Sequence, residues 1–292
     1  MKYITIAEMD KTIRDNMWKI PRDIDFILGI PRSGMLAGCL IAEYLNCPIT
    51  DVDAFCDGAK PTGGGRLRYW KPRRKEGKKK VLVVDDTVFA GHTKKKVLAK
   101  LRPYLEEYEF IYLAVFLEGF AKNYVDIYLS DLREYTDNYT RPVLYEWNIF
   151  HHNEGTMLRC IYDIDGVLCV NPPDERNEKE YIDYIKYAKP LFLPTTTIGA
   201  ICSYRLSKNR EITKKWLSDN MVSYKELIMF ESDSYDERRR SGITPEKMKA
   251  DYYKESEWAE LFVESDDYQA RRIFEMSGKP VYCVESNKLY SK

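Results

Sequence analysis

Apolar runs of strand length alternate along the chain with amphipathic stretches of helix length, and the alternation occurs twice. This pattern predicts parallel sheets covered by helices. In the first half, FILGI (26–30), VLVVD (81–85) and IYLAVFL (111–117) read as buried strands, with helices expected at 34–45 and 93–107. In the second half, LRCIYDID (158–165), IGAICS (198–203), LIMF (227–230), ELFVES (260–265) and PVYCVES (280–286) do the same, with helices near 208–219, 245–256 and 267–277. The periodicity breaks at NIFHHNEGT (148–156) and a fresh strand follows, which predicts two domains, 1–152 and 153–292. There is no repeat at the residue level, and the one biased tract is basic.

Composition sets limits without choosing a function. A chain of 292 residues with 44% hydrophobic and 13% aromatic content can fill two cores. Its 46 basic residues balance 46 acidic ones, so no global field favours nucleic acid or a membrane. The seven cysteines are scattered and never form a CxxC pair, which predicts reduced thiols and a cytoplasmic setting. No apolar run approaches the roughly 18 residues of a membrane helix, and the stretch MKYITIAEMDK has no signal-peptide character.

Candidate chemistry begins at VLVVDDTVFAGHT (81–93). A buried strand ending in Asp85 and Asp86 delivers two carboxylates to the carboxyl edge of a sheet, where they suit vicinal sugar hydroxyls. The following loop offers consecutive backbone N–H groups, the hydroxyls of Thr87 and Thr93, and a helix start, which together make an anion cradle. A diol beside a phosphate describes a ribose 5-phosphate. The stretch resembles the type I phosphoribosyltransferases over roughly residues 20–150, and the resemblance implies phosphoribosyl pyrophosphate (PRPP) as donor. By that resemblance Asp85, Asp86, Thr87, Ala90, Gly91 and Thr93 bind PRPP. GIPRSGMLAG (29–38) falls where the family has its pyrophosphate loop, which adds Arg32, Ser33 and Gly34, together with magnesium.

Between these motifs, GRLRYWKPRRKEGKKK (65–80) holds nine basic residues and one acid from 66 to 80. It reads either as a solvated or nucleic-acid-binding run or as a mobile lid closing over pyrophosphate, with Arg66, Arg68 and Lys71 as lid residues. His92 is read as a bystander, and His151 and His152 as structural or linker residues.

A second acid pair stands in IYDIDGVLC (161–169), where Asp163 and Asp165 end an apolar strand before a turn glycine. A nucleophile and an acid/base flanking one phosphorus need that closeness. The pattern DxDGVL resembles the haloacid dehalogenase superfamily. That resemblance implies Asp163 as nucleophile, Asp165 as acid/base, and Ser203 as the hydroxyl holding the phosphoryl group. It also implies a partner lysine, Lys254 with Lys247 and Lys249 as rivals, and a magnesium site of Asp163, the Asp165 carbonyl, Glu264 and Asp267 or Asp266. About 37 residues separate Asp165 from Ser203, so any cap is small.

The expected architecture is α/β in two domains: a type I phosphoribosyltransferase fold, a parallel sheet with helices on both faces, then a haloacid dehalogenase-like Rossmannoid domain with a minimal cap. The expected activity is transfer of 5-phosphoribosyl from PRPP to an acceptor, a nucleobase or a glycan, followed by hydrolysis of the product's 5-phosphate. Tyr145 and Trp147 could stack on either acceptor or belong to the core. A different class of reading is a non-catalytic PRPP-sensing regulator whose basic segment binds nucleic acid. Oligomeric state is open, a homodimer among the options.

Overall fold

The computed structural model describes residues 1–71, 77–118, 124–132, 143–173 and 176–292. It divides into two compact units, Lys2–Trp147 and Asn148–Lys292, so the division falls at the start of the NIFHHNEGT stretch rather than at 152/153. In chain order the amino-terminal unit comprises β1 (Lys2–Ile4), α1 (Ile6–Asp15), β2 (Phe26–Gly29), α2 (Ser33–Leu45), β3 (Ile49–Asp51), α3 (Val52–Cys56), β4 (Lys79–Val88), α4 (His92–Leu101), β5 (Tyr108–Leu117), β6 (Ile127–Asp131) and β7 (Val143–Tyr145). Five of the strands form a sheet in the order β3-β2-β4-β5-β6, with every pair parallel. β1 and β7 form a separate parallel pair.

β4 runs through the middle of this sheet, which accounts for its uninterrupted apolar sequence. Leu82 and Val84 pack into one core with Ile27, Ile41 and Leu113, while Val81 and Val83 pack into another with Leu28, Val97 and Tyr112. A parallel strand covered on both faces has no position left for a polar residue until it nears its end. The helix expected over 93–107 ends at Leu101 and continues only as a 3-10 turn, Arg102–Tyr104, because Pro103 has no N–H to continue the ladder. α1 starts with a capping box in which Thr5 and Glu8 satisfy one another's backbone N–H groups, and it buries Met9 and Ile13.

α2 lies unusually close to β4. A Cβ built on Gly34 would stand 2.5 Å from the Val84 carbonyl oxygen and 3.2 Å from Asp85 Cα. The absence of a side chain therefore lets the Ile30–Ser33 turn settle beside the end of β4, where the Ile30 N–H donates to the same Val84 oxygen at 2.9 Å.

The carboxyl-terminal unit contains α5 (Glu154–Met157), β8 (Cys160–Tyr162), α6 (Glu178–Tyr187), β9 (Ile198–Leu206), α7 (Arg210–Asp219), β10 (Tyr224–Phe230), α8 (Tyr235–Ser241), α9 (Pro245–Glu255), β11 (Leu261–Glu264), α10 (Asp267–Ser277), β12 (Val281–Cys283) and β13 (Lys288–Tyr290). The sheet order is β10-β9-β8-β11-β12-β13, parallel throughout except for β13, which runs antiparallel to β12. β8 is therefore flanked by β9 and β11, and the carboxyl ends of all three share one edge. The strand expected over 158–165 is shorter: its ladder closes with the Asp163 N–H donating to the Val263 oxygen at 2.9 Å, and the chain turns at Gly166, whose φ of 76° is left-handed. Between β8 and β9, α6 is the one helix among the described residues. No helix among the described residues is long and apolar enough to cross a membrane, and all seven cysteines are free.

Gly34→Ala should lower the stability of the amino-terminal unit by about 1–3 kcal/mol, because backbone rather than a flexible side chain must yield. Gly65→Ala, with open space around it, should stay within about 0.5 kcal/mol of the parent. Equal denaturant midpoints for the two variants would contradict this packing account.

Candidate functional site

In the amino-terminal unit, Asp85 and Asp86 are the last acidic step of β4 before it ends at Val88. Strand alternation brings their anchors from opposite faces of the sheet. The Tyr112 hydroxyl donates to Asp85 Oδ2 at 2.8 Å, and Trp147 Nε1 donates to Asp86 Oδ2 at 2.7 Å. Both acids are buried, with 7% and 8% of their surface exposed, and both of these donors are neutral. Burial pushes the Asp85 carboxyl up to about 7; the adjacent Asp86 charge adds to this and Tyr112 opposes it. Burial likewise raises Asp86 against the pull of the Trp147 N–H. The Asp86 charge beside Asp85 disfavours ionising both, in the same direction as burial.

A cavity of about 270 Å³ opens beside this pair, lined by Asp85, Thr87, Ala90, Gly91 and Thr93 among others. Gly91, at φ 68°, is the residue before α4, and no side chain caps that helix. The first N–H groups of α4 therefore face the cavity rim without a side-chain acceptor from the chain. Sequence reasoning missed Lys94, which also lines the cavity and holds its ammonium 5.1 Å from the Tyr112 ring centre. Arg32 and Ser33 open α2, the first exposed and the second half-buried, while Gly34 is buried against β4. Gly34 thus closes the packing of α2 on β4.

Glu118, which sequence reasoning also missed, follows β5 directly. Its N–H donates to the Val88 oxygen at 2.9 Å, which seats it at the same sheet edge. The Tyr145 hydroxyl donates to Glu118 Oε1. Burial raises the Glu118 carboxyl, Tyr145 opposes this, and the Asp86 charge adds to it. Tyr145 is a core residue, its ring centre 4.9 Å from that of the half-buried Trp147, and each of the two aromatics donates to an acid. Arg66 and Arg68 lie exposed on a 3-10 turn, Gly64–Tyr69, and Arg66 pairs with Glu43 at 3.2 Å. Lys71 is exposed, and residues 72–76 of the expected lid lie outside the described residues.

In the carboxyl-terminal unit, Asp163 follows β8 and Glu264 ends β11. One buried ammonium bridges them: Lys249 Nζ stands 2.7 Å from Asp163 Oδ2, 2.6 Å from Glu264 Oε2 and 3.1 Å from Gln269 Oε1. The bridging lysine is therefore Lys249. Lys254 is exposed and Lys247 is spent on Asp251, one turn along the same face. The reason is helical phase: Lys249, Ala250 and Tyr253 are the buried residues of α9, and Lys254 is rotated about 100° past Tyr253. Burial raises the Asp163 carboxyl to about 8 against the pull of Lys249, and the two carboxylates hold Lys249 firmly protonated despite its burial.

Asp165 has its own support. Arg205 Nε donates to both of its oxygens at 3.1 Å, and the Tyr184 hydroxyl donates to Oδ1 at 2.6 Å. Burial alone would raise Asp165; Arg205 and Tyr184 outweigh it and keep the carboxyl below its ordinary value. Arg205 was not anticipated, although it lies two positions past Ser203 on β9 and so faces the same way. Ser203 is fully buried, its hydroxyl accepting the Arg205 N–H at 3.3 Å, and it does not line the cavity here; Tyr204 does. That cavity, about 510 Å³, is bordered by Asp163, Asp165, Lys249 and Asp266.

The expected magnesium set of Asp163, Asp165, Glu264 and Asp267 does not converge. Glu264 is turned to Lys249 and the Ser265 N–H, and Asp267 receives the Tyr290 hydroxyl at 2.7 Å away from the cavity. Among the described residues, no three His, Cys, Asp or Glu side chains form a group that could hold a metal. The acid of that segment facing the cavity is Asp266.

Two measurements follow from these electrostatics. Lys249→Met would leave Asp163 and Glu264 buried without their cation and should cost about 3–5 kcal/mol, whereas Lys254→Met should be silent within about 0.5 kcal/mol. Urea unfolding of the two variants checks this. Asp85 titrates near 7 when folded against an ordinary value of 3.8, so across that window the folded state keeps a proton the unfolded chain has released. Stability of the amino-terminal unit should therefore fall as pH rises from about 4 to about 7, and Asp85→Asn should flatten that slope in melting curves.

Comparison with known proteins fits the amino-terminal geometry. No protein of curated function matches the chain. Among solved structures, it is similar to a purine phosphoribosyltransferase from Pyrococcus horikoshii OT3, with 18% identity, 53% of this chain and 99% of that one covered, and a TM-score of 0.36. It is also similar to an orotate phosphoribosyltransferase from Aeropyrum pernix, with 17% identity, coverage of 45% and 73%, and a TM-score of 0.32. A Helicobacter pylori xanthine-guanine-hypoxanthine phosphoribosyltransferase gives 16% identity, coverage of 50% and 94%, and a TM-score of 0.32. With TM-scores below 0.5, these likenesses carry no weight beside the family match. The family model described as "Phosphoribosyl transferase domain" matches residues 3–149, half of the chain and the part that holds Asp85, Asp86 and the loop before α4, and on that match the chain belongs to the phosphoribosyltransferase family.

Proposed function

We propose that the amino-terminal unit transfers 5-phosphoribosyl from PRPP to an acceptor and that the carboxyl-terminal unit, read as a haloacid dehalogenase-like phosphatase, removes the 5-phosphate of the product. The observation that carries the first half is the placement of Asp85 and an uncapped helix start around one cavity, with Asp86 the next residue on β4. Asp85 and Asp86 would accept the ribose hydroxyls, while Thr87, Ala90, Gly91, Thr93 and Lys94 would hold the 5-phosphate. Arg32 and Ser33, with Gly34 beneath them, would meet the pyrophosphate and its magnesium. Arg66, Arg68 and Lys71 would close over the leaving group. The Arg66–Glu43 pair is exposed, and such a surface contact costs little to release.

In the second half, the residues point to nucleophilic attack on phosphorus. Asp163 forms the covalent intermediate from its cavity-facing carboxyl in the ionised form, which Lys249 favours against burial while it fixes the orientation. As the substrate's phosphorus–oxygen bond breaks, the departing sugar oxygen takes a proton through Asp165, which then, ionised and oriented by Arg205 and Tyr184, takes the proton of the water that resolves the intermediate to free phosphate. Hard oxygen donors at Asp163 and Asp266 suit magnesium, which characteristically uses one or two carboxylates plus water and phosphate, and it would neutralise the phosphoryl oxygens. Ser203, buried away from the cavity, has no part in holding the phosphoryl group in this scheme.

A phosphatase that consumed PRPP freely would waste the donor, so order matters: transfer comes first, and the acceptor then carries a plain ribosyl group. Nucleobase and glycan both remain within this reading. Asp163→Asn should stop hydrolysis while leaving transfer intact, so the variant should accumulate a product about 80 mass units heavier than that of the parent, the mass of one HPO3 group. Identical product masses from the two proteins would show that the units do not act in sequence.

A further inference from the structure

We propose that Glu118 is the base that receives the acceptor's proton during phosphoribosyl transfer, which commits the acceptor to an N–H or O–H nucleophile delivered from the β5 side. The inference rests on the PRPP reading of the amino-terminal site and adds to it the direction of attack.

The direction follows from strand order. β4 carries the acid pair; β2, whose following turn holds Arg32 and Ser33, lies on one side of it, and β5 lies on the other. Displacement at C1 of the ribose requires the incoming atom and the departing pyrophosphate to occupy opposite faces. With pyrophosphate over the β2 side, the acceptor arrives over β5. The first residue beyond β5 is Glu118, fixed at the edge by its N–H bond to the Val88 oxygen at 2.9 Å.

Glu118 is also built to take a proton. Tyr145, 3% exposed, donates to Oε1 and sets the carboxyl plane. Oε2 is the oxygen that takes the proton. The groups bearing on the carboxyl are the Asp86 charge, which strengthens its basicity, and the Tyr145 hydroxyl, which tempers it, over the larger effect of burial. Trp147 joins the two acids into one unit, bonding Asp86 and packing on Tyr145. In the transfer step, the acceptor's lone pair forms the bond to C1 and the bond from C1 to the pyrophosphate oxygen breaks. That electron pair leaves with pyrophosphate, and the acceptor's proton passes to Glu118.

Azide tests the assignment because it is a nucleophile with no proton to lose. The full chain, with PRPP as probe and water as the slow acceptor, is compared with Glu118→Gln and Glu118→Ala. Calorimetry should give both variants a PRPP affinity within about twofold of the parent, since the group acts on the acceptor, while pyrophosphate release should fall about 100-fold. Azide should restore release in Glu118→Ala and yield a ribosyl azide, with or without its 5-phosphate, by mass spectrometry; the parent should respond little. Pyrophosphate release at the parent rate in Glu118→Gln would overturn the proposal, as would a Glu118→Ala protein that binds PRPP yet forms no ribosyl azide. If the parent itself fails to bind PRPP, the donor assignment falls and this inference falls with it, an outcome separable from a failed rescue.

Discussion

A parallel strand buried on both faces admits charge only where it ends. β4 has no exposed side chain from Val81 to Val84, and β8 and β11 are buried along their length. Charge in these strands is confined to their ends, and because all the strands of a parallel sheet point the same way, acids at the carboxyl ends collect at one edge. Asp85 and Asp86 on β4, Glu118 after β5, Asp163 after β8 and Glu264 at the end of β11 are all consequences of this one constraint. Close approach of α2 through Gly34, and of the turn at Gly166 to Ser265, then decides which loops reach the collected acids.

The two units meet the cost of that crowding in different ways. In the carboxyl-terminal unit each acid has a cation: Lys249 serves Asp163 and Glu264, and Arg205 serves Asp165. Breaking such a pair by removing one partner leaves an uncompensated buried charge, so the arrangement is fixed before any ligand arrives. In the amino-terminal unit the hydrogen bonds to the acids come from Tyr112, Trp147 and Tyr145, all neutral. Burial pushes Asp85 up to about 7 among these neutral donors; in the carboxyl-terminal unit Arg205 and Tyr184 hold Asp165 below its ordinary value, whereas the pull of Lys249 does not offset the burial of Asp163, which is raised to about 8.

The same contrast governs what could be read from sequence. Long central strands were legible because a continuous apolar run bounded by turn residues suits a strand covered on both faces, and the acid pairs were legible because they interrupt such runs. Several things were not. The short edge strands β1, β6 and β7 have too few residues to establish a period. The choice of Lys249 over Lys254 depends on which side of α9 faces the sheet, and the lysines and acids spread along that helix blur its apolar stripe. Arg205 sits in a strand where an isolated cation signals nothing until Asp165 is placed opposite it. Glu118 escaped notice because a single glutamate after a strand is ordinary; only its seat beside Val88 and its bond from Tyr145 distinguish it.

Three acids backed by neutral donors leave that edge of the amino-terminal site without positive charge from those donors, which looks ill-suited to a donor carrying several phosphates. The mismatch resolves when the charges are placed along the reaction. Phosphates would be met elsewhere, by the start of α4 and Lys94 on one side and by the basic segment and magnesium on the other. At C1, however, the proposed transfer would develop positive character on the sugar ring as the bond to pyrophosphate breaks. Acids anchored by Tyr112, Trp147 and Tyr145 are oriented before that charge appears, so their interaction with it strengthens from ground state to transition state without further reorganisation. Cationic partners like those of the carboxyl-terminal unit would cancel that effect, and the neutral ones preserve it.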